Sequence, residues 1–367
     1  MSRRHRAALV VAATVVGWIG WMGCANAGHV LFDVAERRLL ESADAEVPVP
    51  PGRIADLLLV AVLRERIASG DVSLADRVTV LPVAGDRGPH LSAQEPIEVG
   101  DLLQLLLLGD SRTAAKTLAW TAGPSIGRCL ARMQQLATRL GLARTSIADD
   151  WPFAASLTNV GSGGQRGATT ARDLGRLALT VVTDAELRRR LGLDGVPISN
   201  GGLIARATDP LIAVESGTAA PPAATSARLA LVERDGLELL VVAAGPSATD
   251  ELTTTIDRAF QRYRRIELVR EGQAVGPAVR VHGGIIPTFK AVAAEGWALT
   301  TRQTSPPALA FRLQLPTEVA APVEVRQPVG ELVVEQDGRL LAVVPLVAPQ
   351  AIAPSGWLDT AHRGDLP

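Results

Sequence analysis

An unbroken run of apolar residues within one helical segment constrains this fold more than any other feature of the sequence. In residues 54–68 the apolar stretch 57–63 contains no polar side chain. A helix on a protein surface shows a polar face with a period of 3.6 residues, and this stretch lacks one over about two turns. Other elements must therefore enclose it, and we expect residues 54–68 to form the central helix of a domain.

Length and composition favour two folded units. The chain has 367 residues, of which 47% are hydrophobic. That length exceeds one average domain, and that apolar content is sufficient for at least one large core. We expect two units built on packed cores.

Charge and cysteine content exclude several classes of function. Lysine and arginine total 37 and aspartate and glutamate total 38, with no stretch that concentrates arginine beside aromatic residues. A nucleic-acid surface is therefore not expected. The only cysteines, Cys24 and Cys129, support neither a disulfide framework nor a four-ligand zinc site. We predict no metal and no cofactor.

The first residues have the pattern of an export signal. Arg3, Arg4 and Arg6 precede an apolar run, and residues 25–27 (Ala-Asn-Ala) offer a cleavage site after Ala27. This predicts a periplasmic or other extracytoplasmic location. Two alternatives remain open: the run stays as a membrane anchor, or Cys24 carries a lipid.

The rest of the chain divides into a mixed α/β region and a β-rich region. Helices are predicted at residues 99–108, 113–122, 126–140, 184–191 and 249–264. A capping box at residues 170–173 (Thr-Ala-Arg-Asp) starts a further helix that ends near residue 182, with its hydroxyl and its carboxylate both expected to accept amides at that helix start. Strands are predicted at residues 29–34, 38–41, 211–214, 226–232 and 237–244.

After residue 265, short apolar runs alternate with glycine and proline turns, as in a small all-β domain. The predicted organisation is therefore a signal peptide at 1–27, a first domain at 28–265, a β-sandwich at 266–350 and a loose tail at 351–367.

Several segments together resemble the serine D-alanyl-D-alanine carboxypeptidases, which are low-molecular-weight penicillin-binding proteins. The most specific is residues 169–178 (Thr-Thr-Ala-Arg-Asp-Leu-Gly-Arg-Leu-Ala). Others are residues 29–34 with 38–40, residues 68–78 (Ala-Ser-Gly-Asp-Val-Ser-Leu-Ala-Asp-Arg-Val), residues 99–108, and, in the β region, 321–330 and 344–348. The resemblance implies a penicillin-binding-protein/β-lactamase-like α/β domain, with a five-stranded antiparallel sheet flanked by helices, followed by a β-sandwich. It also implies a place beside peptidoglycan.

This family acts through Ser-x-x-Lys, Ser-x-Asn and Lys-Thr-Gly. Alignment on Ser69-Gly70 places Arg53 and Asp56 where the first serine and lysine are expected. No serine, threonine, cysteine or lysine occurs in residues 43–68, so a shift of register supplies no nucleophile. An arginine cannot attack an amide, and an aspartate cannot replace a lysine base in kind.

The second and third motifs are altered as well. Residues Asp110, Ser111 and Arg112 stand where Ser-x-Asn is expected. Residues Glu215, Ser216 and Gly217 stand where Lys-Thr-Gly is expected, so a cation has become an anion. That anion would repel a substrate carboxylate.

These replacements predict an ion pair within the former catalytic cleft. If the motif segments converge as in the family, two arginines and three carboxylates share its walls: Arg53, Arg112, Asp56, Asp110 and Glu215. Partly buried charges are costly unless paired. We expect at least one of the two arginines to contact at least one of the three carboxylates.

Two functions remain open from the sequence. The first is a catalytically degenerate homologue that binds peptidoglycan stem peptides or cell-wall proteins, with membrane association through the N-terminal segment as an option. The second is a divergent but active D-Ala-D-Ala carboxypeptidase that uses Ser111 or Ser216. Acylation by a penicillin would distinguish them, because it requires a nucleophile.

Overall fold

A computed structural model of the chain describes residues 27–50, 53–84, 86, 91–93, 96–109, 111–147, 167–193, 195–197, 204–206, 212–215, 227–305 and 307–355. The chain divides into two compact units: unit 1 is Met1–Phe260 and unit 2 is Gln261–Pro367. The division falls a few residues before residue 266. The predicted signal peptide, residues 1–27, lies outside the described residues except for Ala27.

A five-stranded sheet organises unit 1. Its strands are β1 (Gly28–Asp33), β2 (Arg38–Ala43), β7 (Ala213–Glu215), β8 (Ala227–Arg234) and β9 (Leu237–Ala244), in the order β2-β1-β9-β8-β7. Every pairing among β2, β1, β9 and β8 is antiparallel. The pairing of β7 with β8 is parallel, which corrects the expectation of a wholly antiparallel sheet. A parallel partner requires a longer return than a hairpin turn, and residues 216–226 separate the two strands.

The helices of unit 1 begin and end close to the predicted residues. They are α1 (Ile54–Ala68), α2 (Val99–Leu108), α3 (Arg112–Ala122), α4 (Ile126–Arg139), α5 (Ala171–Val182), α6 (Ala185–Leu191) and α7 (Ala248–Arg262). All residues from Ile54 to Leu63 are buried, which confirms α1 as an enclosed helix. It packs against α3, α4 and α5.

Helix α5 lies directly on the sheet. A Cβ atom at Gly175 would lie 2.6 Å from the Phe32 ring and 2.7 Å from a methyl carbon of Val30, both on β1. Only glycine permits this separation, because any side chain would force the helix away from the strand. The Arg-Asp-Leu-Gly segment thus fixes how closely α5 approaches the sheet.

Hydrogen bonds at the start of α5 confirm one half of the predicted capping box and correct the other. The Thr170 hydroxyl accepts from the Asp173 backbone N–H at 3.2 Å. The Asp173 carboxylate accepts from the Arg144 backbone N–H and from the Thr145 hydroxyl, both at 2.9 Å. Asp173 is only 3% exposed, so it satisfies a preceding loop within the core.

Short strand pairs that the sequence did not predict complete unit 1. These are β3 (Arg77–Val78) with β4 (Ile97–Glu98), and β5 (Gly195–Pro197) with β6 (Ile204–Arg206). Within the described residues, no helix has both the length and the apolar character needed to cross a bilayer.

Unit 2 is an all-β unit, as predicted. It contains a two-stranded sheet of β10 (Tyr263–Val269) and β13 (Trp297–Arg302). A six-stranded sheet has the order β14-β16-β17-β12-β11-β15, with strands β11 (Ala274–His282), β12 (Thr288–Ala293), β14 (Leu309–Gln314), β15 (Glu318–Ala320), β16 (Pro328–Gln336) and β17 (Arg339–Val347).

The first residues of the predicted loose tail are packed into unit 2, which corrects that part of the expectation. Ile352 is 1% exposed and forms a bridge with Val323, and Pro354 forms a bridge with Gly284. Burial of an isolated apolar side chain needs no helical or strand periodicity, so the pattern of residues 351–355 gave no sign of it. Residues 356–367 lie outside the described residues.

Candidate functional site

The residue at the expected nucleophile position is held by polar contacts to α1 and to the end of α2. Arg53 is the N-cap residue of α1. Its Nε donates to Asp56 Oδ2 at 3.1 Å, one helical turn later. Its Nη2 donates to the carbonyl oxygens of Leu106 at 2.8 Å and Gly109 at 2.6 Å. The predicted ion pair is therefore present, between the two residues that the sequence aligns with the first motif.

These contacts join the start of α1 to the end of α2. The last carbonyl groups of a helix have no partner within that helix, and Leu106 and Gly109 supply two such groups. A guanidinium beside them also complements the negative end of the helix dipole. The side chains of Arg53 and Asp56 are only 14% and 11% exposed. The cation thus has a structural role at the start of α1, where the sequence predicts the nucleophile position of the family.

A remote carboxylate organises the start of α3, where the second motif is expected. Asp86 accepts from the backbone N–H groups of Arg112 and Thr113, each at 2.9 Å. It also accepts from the Ser111 hydroxyl at 3.1 Å. Ser111 is the N-cap residue of α3, and its Oγ in turn accepts from Ala114 N at 3.2 Å.

This arrangement leaves Ser111 poorly suited to nucleophilic attack. The residue is 2% exposed, and its hydroxyl both donates to a carboxylate and accepts from a backbone amide. The geometry is that of a helix cap.

Among the described residues, the first two motif-equivalent segments lie next to each other. Contact of Arg53 with Gly109 places the start of α1 beside the residue that precedes Asp110. Arg112 is partly exposed at the start of α3, and Asp110 lies outside the described residues.

The third motif-equivalent segment is described only at its first backbone position. The backbone of Glu215 ends strand β7, while its side chain, with Ser216 and Gly217, lies outside the described residues. Whether this segment joins the other two stays a prediction.

Two further candidate nucleophiles, Cys129 and Ser125, have surroundings that suit a role in the fold and not in catalysis. Burial raises the pKa of the Cys129 thiol to about 11, so it is protonated at neutral pH. Ser125, in the sequence Gly-Pro-Ser-Ile-Gly, follows α3 and caps α4 by accepting from Arg128 N at 3.2 Å. A nucleophile elbow requires a strand before the serine, which is absent at this position.

Asp86 is a residue of this site whose role could not be predicted from the sequence. It lies well before the helix that it caps, and nothing in its own surroundings in the sequence indicates that partner. Among the described residues, no group of three or more His, Cys, Asp or Glu side chains is arranged to hold a metal ion.

Comparison with known proteins relates both units to one group. Residues 263–354 match the family described as "Penicillin-binding protein 5, C-terminal domain". Over 348 residues, the chain is 21% identical to D-alanyl-D-alanine carboxypeptidase DacF of Bacillus subtilis, covering 91% of this chain and 87% of the relative.

Solved structures agree on the fold. The crystal structure of a peptidoglycan synthesis regulatory factor (PBP3) from Streptococcus pneumoniae has a TM-score of 0.67 at 16% identity, covering 89% of this chain and 99% of that one. Penicillin binding protein 6B from Escherichia coli has a TM-score of 0.59 at 16% identity, covering 88% and 95%. The comparisons confirm the resemblance and the fold class that the sequence predicts.

Proposed function

We propose that this chain, a homologue of the D-alanyl-D-alanine carboxypeptidases with a penicillin-binding protein 5 type C-terminal domain, is an exported and catalytically inactive cell-wall protein. The homology supports a function related to the cell wall. The finer proposal is that the chain binds peptidoglycan stem peptides or cell-wall proteins, as a binding or regulatory protein. Its extracytoplasmic location is proposed from the signal pattern in residues 1–27.

The contacts of Arg53 carry this proposal. A serine-type peptidase needs a hydroxyl at the start of α1 and a base one turn later. Arg53 is permanently protonated, and it is bonded to Asp56 and to two backbone carbonyl oxygens. A group in this state has no lone pair with which to attack an amide carbonyl. Reversion to catalysis would require more than a change of side-chain rotamer.

The lysine content supports the same conclusion. The chain contains only Lys116 and Lys290. Lys116 lies within α3, where its Nζ donates to the Pro82 carbonyl at 3.2 Å. Lys290 lies on β12 in unit 2. Neither occupies a position equivalent to a catalytic lysine of the family, so the general base is missing together with the nucleophile.

Reaction with a penicillin tests the proposal directly. The mature protein is incubated with a fluorescent penicillin, and its intact mass is measured, with Escherichia coli penicillin binding protein 6B as the positive control. We expect labelling of the control and no covalent adduct on this chain. A stable adduct would refute inactivity, and its location on Ser111 or Ser216 would establish the divergent carboxypeptidase instead.

A further inference from the structure

The helical hairpin formed by α3 and α4 is set apart by its charge. Residues 111–147 contain five arginines and one lysine, but no aspartate or glutamate. The whole chain has a net charge of −1. Positive charge is thus concentrated in one part of unit 1.

Several of these cationic side chains are exposed or partly exposed to solvent. Helices α3 and α4 both pack on α1, so their outer sides face away from the same buried helix. On α3, Arg112, Lys116 and Trp120 follow one another at intervals of four residues and share one side of the helix. On α4, Arg128 and Arg132 have the same spacing, with Arg128 exposed and Arg132 partly exposed.

Some of the cations are already neutralised by unit 1. Arg139 forms an ion pair with Glu65 at 2.7 Å, and Arg144 forms one with Glu46 at 3.6 Å. By contrast, no carboxylate among the described residues lies within ion-pair distance of Arg128 or Arg132. We define the α3–α4 face by Lys116, Trp120, Arg128 and Arg132.

An exposed tryptophan adds a second chemical character to this face. Trp120 is 53% exposed, although only 3% of the chain is aromatic. Its burial would release ordered water from a large apolar surface, which makes exposed tryptophan a frequent centre of binding sites. An aromatic ring on the same hairpin as Arg128 and Arg132 suits a ligand that has both apolar ring faces and negative charges.

We propose that the α3–α4 face docks peptidoglycan, with a sugar ring stacked on Trp120 and stem-peptide carboxylates held by the cations. This inference rests on the proposed cell-wall function and deepens it, because it assigns binding to a surface outside the motif-equivalent positions. Charge complementarity supports it: the face has arginines without carboxylate partners, and peptide stems end in carboxylates.

The composition of the face favours a polymer over a lipid bilayer. An interfacial helix needs a broad apolar side that enters the acyl region. The exposed residues of α4 include polar side chains such as Gln134 and Gln135. One tryptophan can stack on a sugar, whereas it provides little area for insertion into a membrane.

Co-sedimentation with purified peptidoglycan sacculi tests the face. The variants are Trp120→Ala and the double charge reversal Arg128→Glu/Arg132→Glu. The matched controls in unit 2 are Phe311→Ala, whose ring is 51% exposed, and Arg339→Glu, which is also exposed. Circular dichroism checks that each variant is folded, and vesicles of anionic phospholipid are tested in parallel.

We expect the double reversal to weaken binding to sacculi by about tenfold or more, and Trp120→Ala by about threefold to tenfold. Wild-type binding should fall with added salt, and both controls should bind as the wild type does. Folded variants that bind sacculi as well as the wild type would overturn the docking face while leaving the cell-wall proposal intact. Absence of wild-type binding to sacculi, or binding to vesicles alone, would also overturn it. Neither result bears on inactivity, which the penicillin experiment decides separately.

Discussion

The starts of α1 and α5 share one spacing but form different contacts. Each helix has an N-cap residue and, three positions later, an aspartate: Arg53 with Asp56, and Thr170 with Asp173. At α5 the residues match the family and form a hydrogen-bonded cap with a buried carboxylate. At α1, where the sequence predicts the position of the family's first motif, Arg53 and Asp56 form an ion pair.

The comparison shows which contacts maintain the fold at each helix start. Asp173 connects the start of α5 to residues 144–145, so its loss would remove a buried acceptor from the Arg144 amide and the Thr145 hydroxyl. A catalytic nucleophile is not required as a partner for buried polar groups of the fold. Its position can therefore accept another residue that forms stabilising contacts. Arg53 is such a residue, since it binds the end of α2. We therefore expect a motif that supports the fold to tolerate fewer substitutions than one that serves catalysis alone.

The largest effect is expected at α5. Replacement of Asp173 by alanine should lower the free energy of unfolding by about 2–4 kcal/mol, because the Arg144 amide and the Thr145 hydroxyl lose a buried acceptor. Urea unfolding followed by circular dichroism measures this change. The neighbouring Arg172→Ala is the control, since Arg172 is paired with Glu46 at the surface and should lose less than about 1 kcal/mol. Equal losses for the two variants would contradict the distinction between the helix starts.

A smaller effect is expected at α1. The variant Arg53→Ala should lower the free energy of unfolding by about 1–3 kcal/mol, because it leaves the mostly buried Asp56 unpaired and removes two hydrogen bonds to the end of α2. The control is Arg64→Ala, also an arginine paired with an aspartate, Asp184, but with a side chain that is 42% exposed. If Arg53→Ala is no more destabilising than Arg64→Ala, Arg53 has no structural role at this position.

The helices could be predicted because their signals are local. The apolar run of α1 and the glycines after α2 and α3 lie within or next to the elements that they define. Predicted and observed bounds consequently agree within two residues for these helices. The Arg53–Asp56 ion pair could be anticipated for the same reason, since the two residues are one turn apart.

Features that depend on distant partners could not be predicted. Asp86 caps a helix that begins far along the chain, and Asp173 binds Thr145 rather than only its own helix start. Strands of two or three residues, such as β3 and β5, are too short to show alternation. The parallel pairing of β7 depends on the path of an entire connection.

The smallest effect concerns another arginine–carboxylate pair, in which burial affects the carboxyl pKa more than the arginine does. Glu238 on β9 is paired with Arg188. Burial nevertheless raises the pKa of the Glu238 carboxyl above its usual range. Arg188 opposes this shift, while Glu233 and Asp33 add to it. Because the folded-state pKa is raised, the folded protein holds this proton more tightly than the unfolded chain does. The associated stability is present below the unfolded pKa and is lost as pH rises through the folded pKa.

The variant Glu238→Gln removes this dependence, so its stability relative to the wild type should increase from about pH 4 to pH 7, by less than about 1 kcal/mol. Urea unfolding at intervals across that range measures the difference. Glu186→Gln is the control of opposite sign. A hydrogen bond from Arg189, followed by contributions from Arg190, lowers the pKa of Glu186, so its stabilisation is present above the unfolded value and is lost as pH falls. That variant should lose stability relative to the wild type as pH rises. Should both variants follow the same trend, burial would not be what distinguishes Glu238 from the exposed ion pairs of this protein.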